Sequence, residues 1–124
     1  MRRYLDAVRR GDWETGFGFF ADDIVFRIPG RSQFAGEHRG LATAREYIES
    51  ARALSEGAEV EVELIDMLAS EERVALIVRE QFHRDGDPIE IRRANVYRIR
   101  DDQIAEIWIF EADQYAVDAL FDAD

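Results

Sequence analysis

The sequence predicts an α+β domain in which helices cover one face of a curved antiparallel β-sheet. Three observations carry this. Apolar residues at helical spacing occur in the first half of the chain and again at its end, whereas residues from Val60 to Glu111 read as β-rich runs divided by short polar turns. Strands joined by tight turns must run antiparallel. With 124 residues, 47% hydrophobic and 35% charged, the chain supports one core, so a single domain over residues 1–124 is expected.

Residues 2 to 10 read as a helix with Tyr4, Leu5 and Val8 on one side. Gly11 ends it, and Asp12 caps a second helix with Trp13, Phe17 and Phe20 at i, i+4 and i+7. Gly16 and Gly18 are unusual there, since glycine costs about 1 kcal/mol against alanine inside a helix. Ile24 to Ile28 is a short strand stopped by Pro29-Gly30, and Arg31 to Gly40 a polar loop. Leu41 to Leu54 is the clearest helix, with Leu41, Ala44, Ile48, Ala51 and Leu54 on one face and Gly57 as its stop. Strands follow at Val60 to Met67, Val74 to Arg84, Ile89 to Ile99 and Ile104 to Glu111. Their turns fall at Ser70 to Arg73, Asp85-Gly86-Asp87 and Asp101-Asp102. Asp113 to Phe121 closes the chain as a short helix.

Two strands, at Val74 to Val78 and Ile107 to Phe110, are apolar on both faces. Helices cover only one face of a two-layer domain. The other, with Trp108 and Phe110, then calls for a second copy, giving a homodimer, or for shielding by arginine stems.

Composition excludes several functions. A net charge of -11 disfavours nucleic acid and anionic membrane surfaces as partners. No apolar run approaches the roughly 20 residues of a membrane span, and MRRYLDAVRRGD has no apolar core for a signal peptide, so a cytoplasmic protein is expected. Cysteine is absent, which rules out disulfides and thiol chemistry. The two histidines, His38 and His83, do not form a metal motif, and no phosphate-binding glycine loop or GxSxG occurs. No cofactor or metal is expected.

The strings YLDAVRRGDWE, FADDIVFRIPG, FAGEHRGLATAREYI, DGDPIEIRRANVYRIRDDQIAEIW and FEADQYAVD, in this order, resemble the ketosteroid-isomerase-like superfamily, also called the nuclear transport factor two fold, and within it the SnoaL-like polyketide cyclases. The resemblance implies a cone: a bent sheet wrapped around a long helix, enclosing a mostly apolar cavity with a few polar groups. It implies a cofactor-free isomerase or cyclase acting on a hydrophobic carbonyl compound. A non-catalytic hydrophobic-ligand-binding or dimerisation domain is the alternative, and a limonene-epoxide-hydrolase-like enzyme a second one.

Ketosteroid isomerases need a carboxylate base and an oxyanion hole. By the resemblance Tyr4 is one oxyanion donor, and Asn95 stands where the family has a protonated Asp, still able to donate. The base position is Ile28, which takes no proton, so the usual isomerase route is closed. SnoaL-like cyclases use an Asp near the end of the last strand, matched here by Asp113. Alternation puts Ile107, Ile109, Glu111 and Asp113 on one face, where two carboxylates raise one another's pKa; alternatively both acids sit on the rim and cap the last helix. Arg93, Asn95 and Tyr97 share a strand face with Ile91 and Ile99, and an inward Arg needs an acid such as Asp113 or Glu111, or a ligand. The hydrolases use an Asp-Arg-Asp arrangement; here Arg93-Ala94-Asn95 keeps the Arg and loses one Asp. By the resemblance His38 lines the cavity mouth, where it can carry a proton; alternatively it is a solvated loop residue. Trp13, Phe17, Phe34 and Tyr47 line the pocket or simply pack the core.

Overall fold

A computed structural model describes residues 1–54, 61–84 and 87–122. The elements are α1 (Arg2–Arg9), α2 (Trp13–Phe17), β1 (Phe20–Ile28), β2 (Gly36–Arg39), α3 (Leu41–Ala53), β3 (Glu61–Ala69), β4 (Arg73–Arg84), β5 (Asp87–Arg100), β6 (Gln103–Glu111) and α4 (Gln114–Asp122). They form the expected α+β architecture. One six-stranded sheet runs β2-β1-β6-β5-β4-β3, with register shifts in the β3–β4, β5–β6 and β1–β6 pairs.

The meander from β3 to β6 is antiparallel, as the tight turns require. The β1–β6 pair is parallel, with Phe26 beside Ile107 and Arg27 beside Trp108. Short-range turn signals carry no information on this pairing, which joins elements at opposite ends of the chain. At the β5–β6 turn, Asp101 and Asp102 both take positive φ, 52° and 62°, the conformation of a tight two-residue hairpin.

Two elements differ from the sequence reading. The second helix stops at Phe17, its N-terminus capped by Asp12 through the Thr15 amide at 3.2 Å, and Gly18 is its C-cap. Phe20 therefore opens β1 and is not a third helical position. The two glycines weaken the helix where an aromatic, β-favouring run begins. The loop from Arg31 to Gly40 contains β2, which pairs with β1 through Val25 to Ile28. Gly57, Val60 and the Asp85-Gly86 part of the hairpin turn lie outside the described residues.

The helices bury Tyr4, Leu5, Phe17, Tyr47, Ile48, Val117, Leu120 and Phe121 against the inward strand residues Phe26, Leu76, Val78, Phe82, Ile91, Ile107 and Ile109. On the outer face, Trp108 is half-buried, with the guanidinium groups of Arg27 and Arg73 at 5.2 and 5.6 Å from its ring. Such contacts contribute about 0.5–1 kcal/mol at exposed sites. Phe110 has no such cover and is 55% exposed.

Candidate functional site

Between the helices and the inner face of the sheet lies a cavity of about 110 Å³. Apolar side chains make up most of its wall, Phe26, Leu76, Val78, Phe82, Ile107 and Ile109 among them. Lining residues that keep some exposure, Val8, Trp13, Arg52 and Val62, mark the side where it meets the surface. Two polar groups interrupt the apolar wall.

The first is an acid–arginine–acid cluster. Arg93 and Glu111 are direct partners across β5 and β6, and Glu80 on β4 stands two residues along from Val78, the partner of Arg93. The alternation of each strand turns all three inward. Arg93 Nε donates to Glu111 Oε1 at 3.0 Å and Nη2 to Glu111 Oε2 at 2.6 Å, a two-pronged pair. Arg93 Nη1 lies 3.3 Å from Glu80 Oε2. The side chains of Arg93 and Glu111 are 6% and 2% exposed, so the pair is out of water, while Glu80 at 14% borders the cavity. Burial works against the Arg93 charge, but Glu80 and Glu111 outweigh it and hold its pKa above the usual range. Burial raises the pKa of Glu111, opposed by Arg93 and its hydrogen bonds and assisted by the nearby Glu80 and Asp118 charges.

A pH effect follows. A carboxyl whose pKa is higher folded than unfolded favours the folded state while protonated, and loses that advantage as pH rises through the folded value. The ordinary Glu value is 4.5, so the loss begins near there. Glu111→Gln has no such loss. Its stability deficit against the native chain should be smaller at pH 7 than at pH 4, as read by urea unfolding at both pH values; an equal or larger deficit at pH 7 would show that the Arg93 pairing dominates.

The second group comprises Tyr4 from α1 and Asn95 and Tyr97 from β5, all at the cavity. The Tyr4 and Tyr97 rings meet edge to face at 5.8 Å. Burial raises both hydroxyl pKa values, Tyr4 further through the neighbouring Tyr97, while hydrogen bonding to Asn95 and Tyr4 partly offsets the shift of Tyr97. Tyr47, also at the cavity, is pushed up to about 12 by burial. These phenols keep their protons at neutral pH and act as donors. Asn95 Oδ1 is buried without a hydrogen-bond partner among the described residues.

Of the residues singled out in the sequence, Tyr4, Trp13, Arg93, Asn95, Tyr97 and Ile109 line the cavity. Glu111 reaches it through Arg93. Phe17 and Phe34 are buried in the aromatic core; Phe34 packs against Tyr47 and Phe121 at 5.4 and 5.3 Å. Asp113 is exposed, accepts from the Ala116 amide at 3.1 Å and caps α4, the structural alternative for that acid. Arg93 therefore pairs with Glu111 and not with Asp113. His38 lies on β2, its Nε2 at 2.6 Å from the Phe34 carbonyl and its ring 5.1 Å from that of Tyr47, and is not part of the cavity wall. Ile28 is buried beside Gly36. Sequence reasoning passed over Glu80. Its signal was the alternation Leu76, Val78, Glu80, Phe82, an apolar face broken by a single acid. Among the described residues no cluster of three or more His, Cys, Asp or Glu has the arrangement of a metal site, and no helix is long and apolar enough to cross a membrane.

Residues 1–107 match the SnoaL-like domain family. The chain belongs to this family. No curated protein matches this SnoaL-like domain. Among solved structures it is similar to Bal32a from a soil-derived mobile gene cassette, with 25% identity and a TM-score of 0.88 over 97% of this chain and 92% of that one. A protein of unknown function with a cystatin-like fold from Xanthomonas campestris is 28% identical, with a TM-score of 0.86 over 95% and 92% of the two chains. A nuclear transport factor two-like protein from Anabaena variabilis, 19% identical with a TM-score of 0.78 over 90% and 83%, shares the fold. α4 lies beyond the stretch matched by the family.

Proposed function

We propose that this SnoaL-like domain is a cofactor-free acid–base enzyme of the isomerase or cyclase kind, acting on a small uncharged carbonyl compound. The observation that carries the reading is the placement of a carboxylate and of hydroxyl and amide donors on one cavity wall. Arg93, Asn95 and Tyr97 occupy successive inward positions of β5. Such positions are separated by about 7 Å along the strand and face the same side, so the three side chains line one wall.

Glu80 is the base. Arg93 holds it by a single longer contact and grips Glu111 by two shorter ones, so Glu80 is the acid left facing the cavity. It takes a proton from the carbon beside the carbonyl, the electron pair moves onto the oxygen, and Tyr4, Tyr97 and Asn95 donate to that oxygen. Returning the proton to another carbon completes an isomerisation with no atoms gained or lost. Glu111 acts through Arg93 as a positioning residue. The three nitrogens of Arg93 already face carboxylates, so among the described residues the buried end of the cavity has no free cation for an anionic substrate.

The test is solvent deuterium exchange. Cyclohexanone in D₂O with the protein should gain deuterium beside its carbonyl faster than in buffer, read by proton NMR. Exchange at the buffer rate, for this ketone and for 3-cyclohexenone, would reject the assignment.

The cluster itself favours a second reading. Glu80–Arg93–Glu111 sets an acid on each side of an arginine, as in the Asp-Arg-Asp arrangement of the epoxide-hydrolase-like relatives, with glutamates from flanking strands. A hydrolase places oxygen-18 from water in the diol formed from cyclohexene oxide, while an isomerase places none.

The outer face of the sheet is assigned to a second copy of the chain, because Phe110 projects there with no cover. Phe110→Glu should convert a dimer to a monomer in light scattering, and a native chain already monomeric at micromolar concentration would refute this.

A further inference from the structure

We infer that Phe121 limits the substrate to a single ring, so the carbonyl compound of the preceding section, on which this inference rests, is monocyclic and not a fused polycycle. A cavity of ~150 Å³ takes one benzene, and sites that enclose drug-sized ligands run to about 300–1,000 Å³. At about 110 Å³ this cavity has room for one ring at most.

Phe121 forms part of the wall and is 1% exposed. Its ring meets Phe34 and Phe82 edge-on at 5.3 and 5.7 Å. Phe82 and Glu80 are successive inward positions of β4, so Phe121 occupies the space just past the acid cluster, where a second fused ring would extend.

The wall is fixed. Both carboxylate oxygens of Asp118 lie 3.2 Å from the Arg31 amide, Gln114 Nε2 donates to the Pro29 carbonyl at 3.5 Å, and Gln33 donates to the Phe121 carbonyl. Gly30, at φ 91°, lets the loop approach so closely that a Cβ there would collide with Gln114 and Asp118. α4 is thereby tied to the loop after β1 at several points along its length, and a larger ligand cannot simply push it aside.

Phenol and 2-naphthol, uncharged probes differing by one fused ring, test the inference by calorimetric titration. The native chain should bind phenol at least tenfold more tightly than 2-naphthol. Phe121→Ala, which removes one phenyl ring, should reverse that order, and Phe121→Leu should narrow it, keeping the test alive should the alanine variant not fold. Equal affinity of the native chain for both probes, or folded variants that still exclude 2-naphthol, would overturn the inference alone. If folded native and variant chains all bind neither probe, both the inference and the function proposed above fall. If the probes bind in the expected pattern but ketone exchange stays at the buffer rate, the inference on ligand size stands and the assigned reaction falls.

Discussion

Arg93→Leu should destabilise the domain by about 3–5 kcal/mol, the range for breaking a buried ion pair from one side. A domain of this size has roughly 5–15 kcal/mol in total, so the variant should unfold at much lower urea. The cost arises from the acids left behind. Glu111, at 2% side-chain exposure, loses its two-pronged partner, and Glu80 loses its only ion-pair contact among the described residues. Arg93→Leu combined with Glu111→Leu should recover much of the loss, because replacing a buried pair with apolar groups is often close to neutral. The coupling between the two sites, obtained from the double-mutant cycle, is the decisive quantity. A loss under 1 kcal/mol in the single variant, with no coupling, would mean that the cluster is hydrated.

Glu80→Gln should cut ketone exchange by about 10²–10⁴-fold, the usual contribution of a positioned acid or base. Glutamine keeps the size of the side chain and an oxygen for Arg93, so phenol affinity should stay within a few-fold of the native value. Loss of turnover with binding retained separates chemistry from mere occupancy. If Glu80→Gln leaves the rate intact while Asp113→Asn removes it, the base is the acid at the cap of α4, and the cavity-facing carboxylate has no catalytic part.

Much of the fold was legible because its signals are local. The 3.6 period of Leu41 to Leu54 and the alternation of Ile89 to Ile99 each report one face of one element, and α3 and β5 lie where those patterns put them. The pairing of β1 with β6 was not legible, since partners so far apart in sequence leave no local trace. β2 was hidden because Gly36–Arg39 is short and at the sheet edge, with no apolar alternation. At the site, the inward face of β5 correctly brought Arg93, Asn95 and Tyr97 together. Strand alternation extended past Glu111 puts Asp113 on the inward face, but β6 ends at Glu111 and the acid takes the other place open to it, the cap of α4. Glu80 stands at none of the positions that the family resemblance singles out. An acid alone on an apolar strand face is a physical anomaly in its own right.

The parallel seating of β1 against β6 also constrains how the protein is made. β1 lies between β2 and β6, so β1 waits on the ribosome for β6 to be made. Until residues 103–111 emerge, the early hairpin has one edge open and its inward aromatics wet. Nascent chains halted before that point should be cleaved readily by protease, and protection should arrive abruptly once β6 clears the exit tunnel.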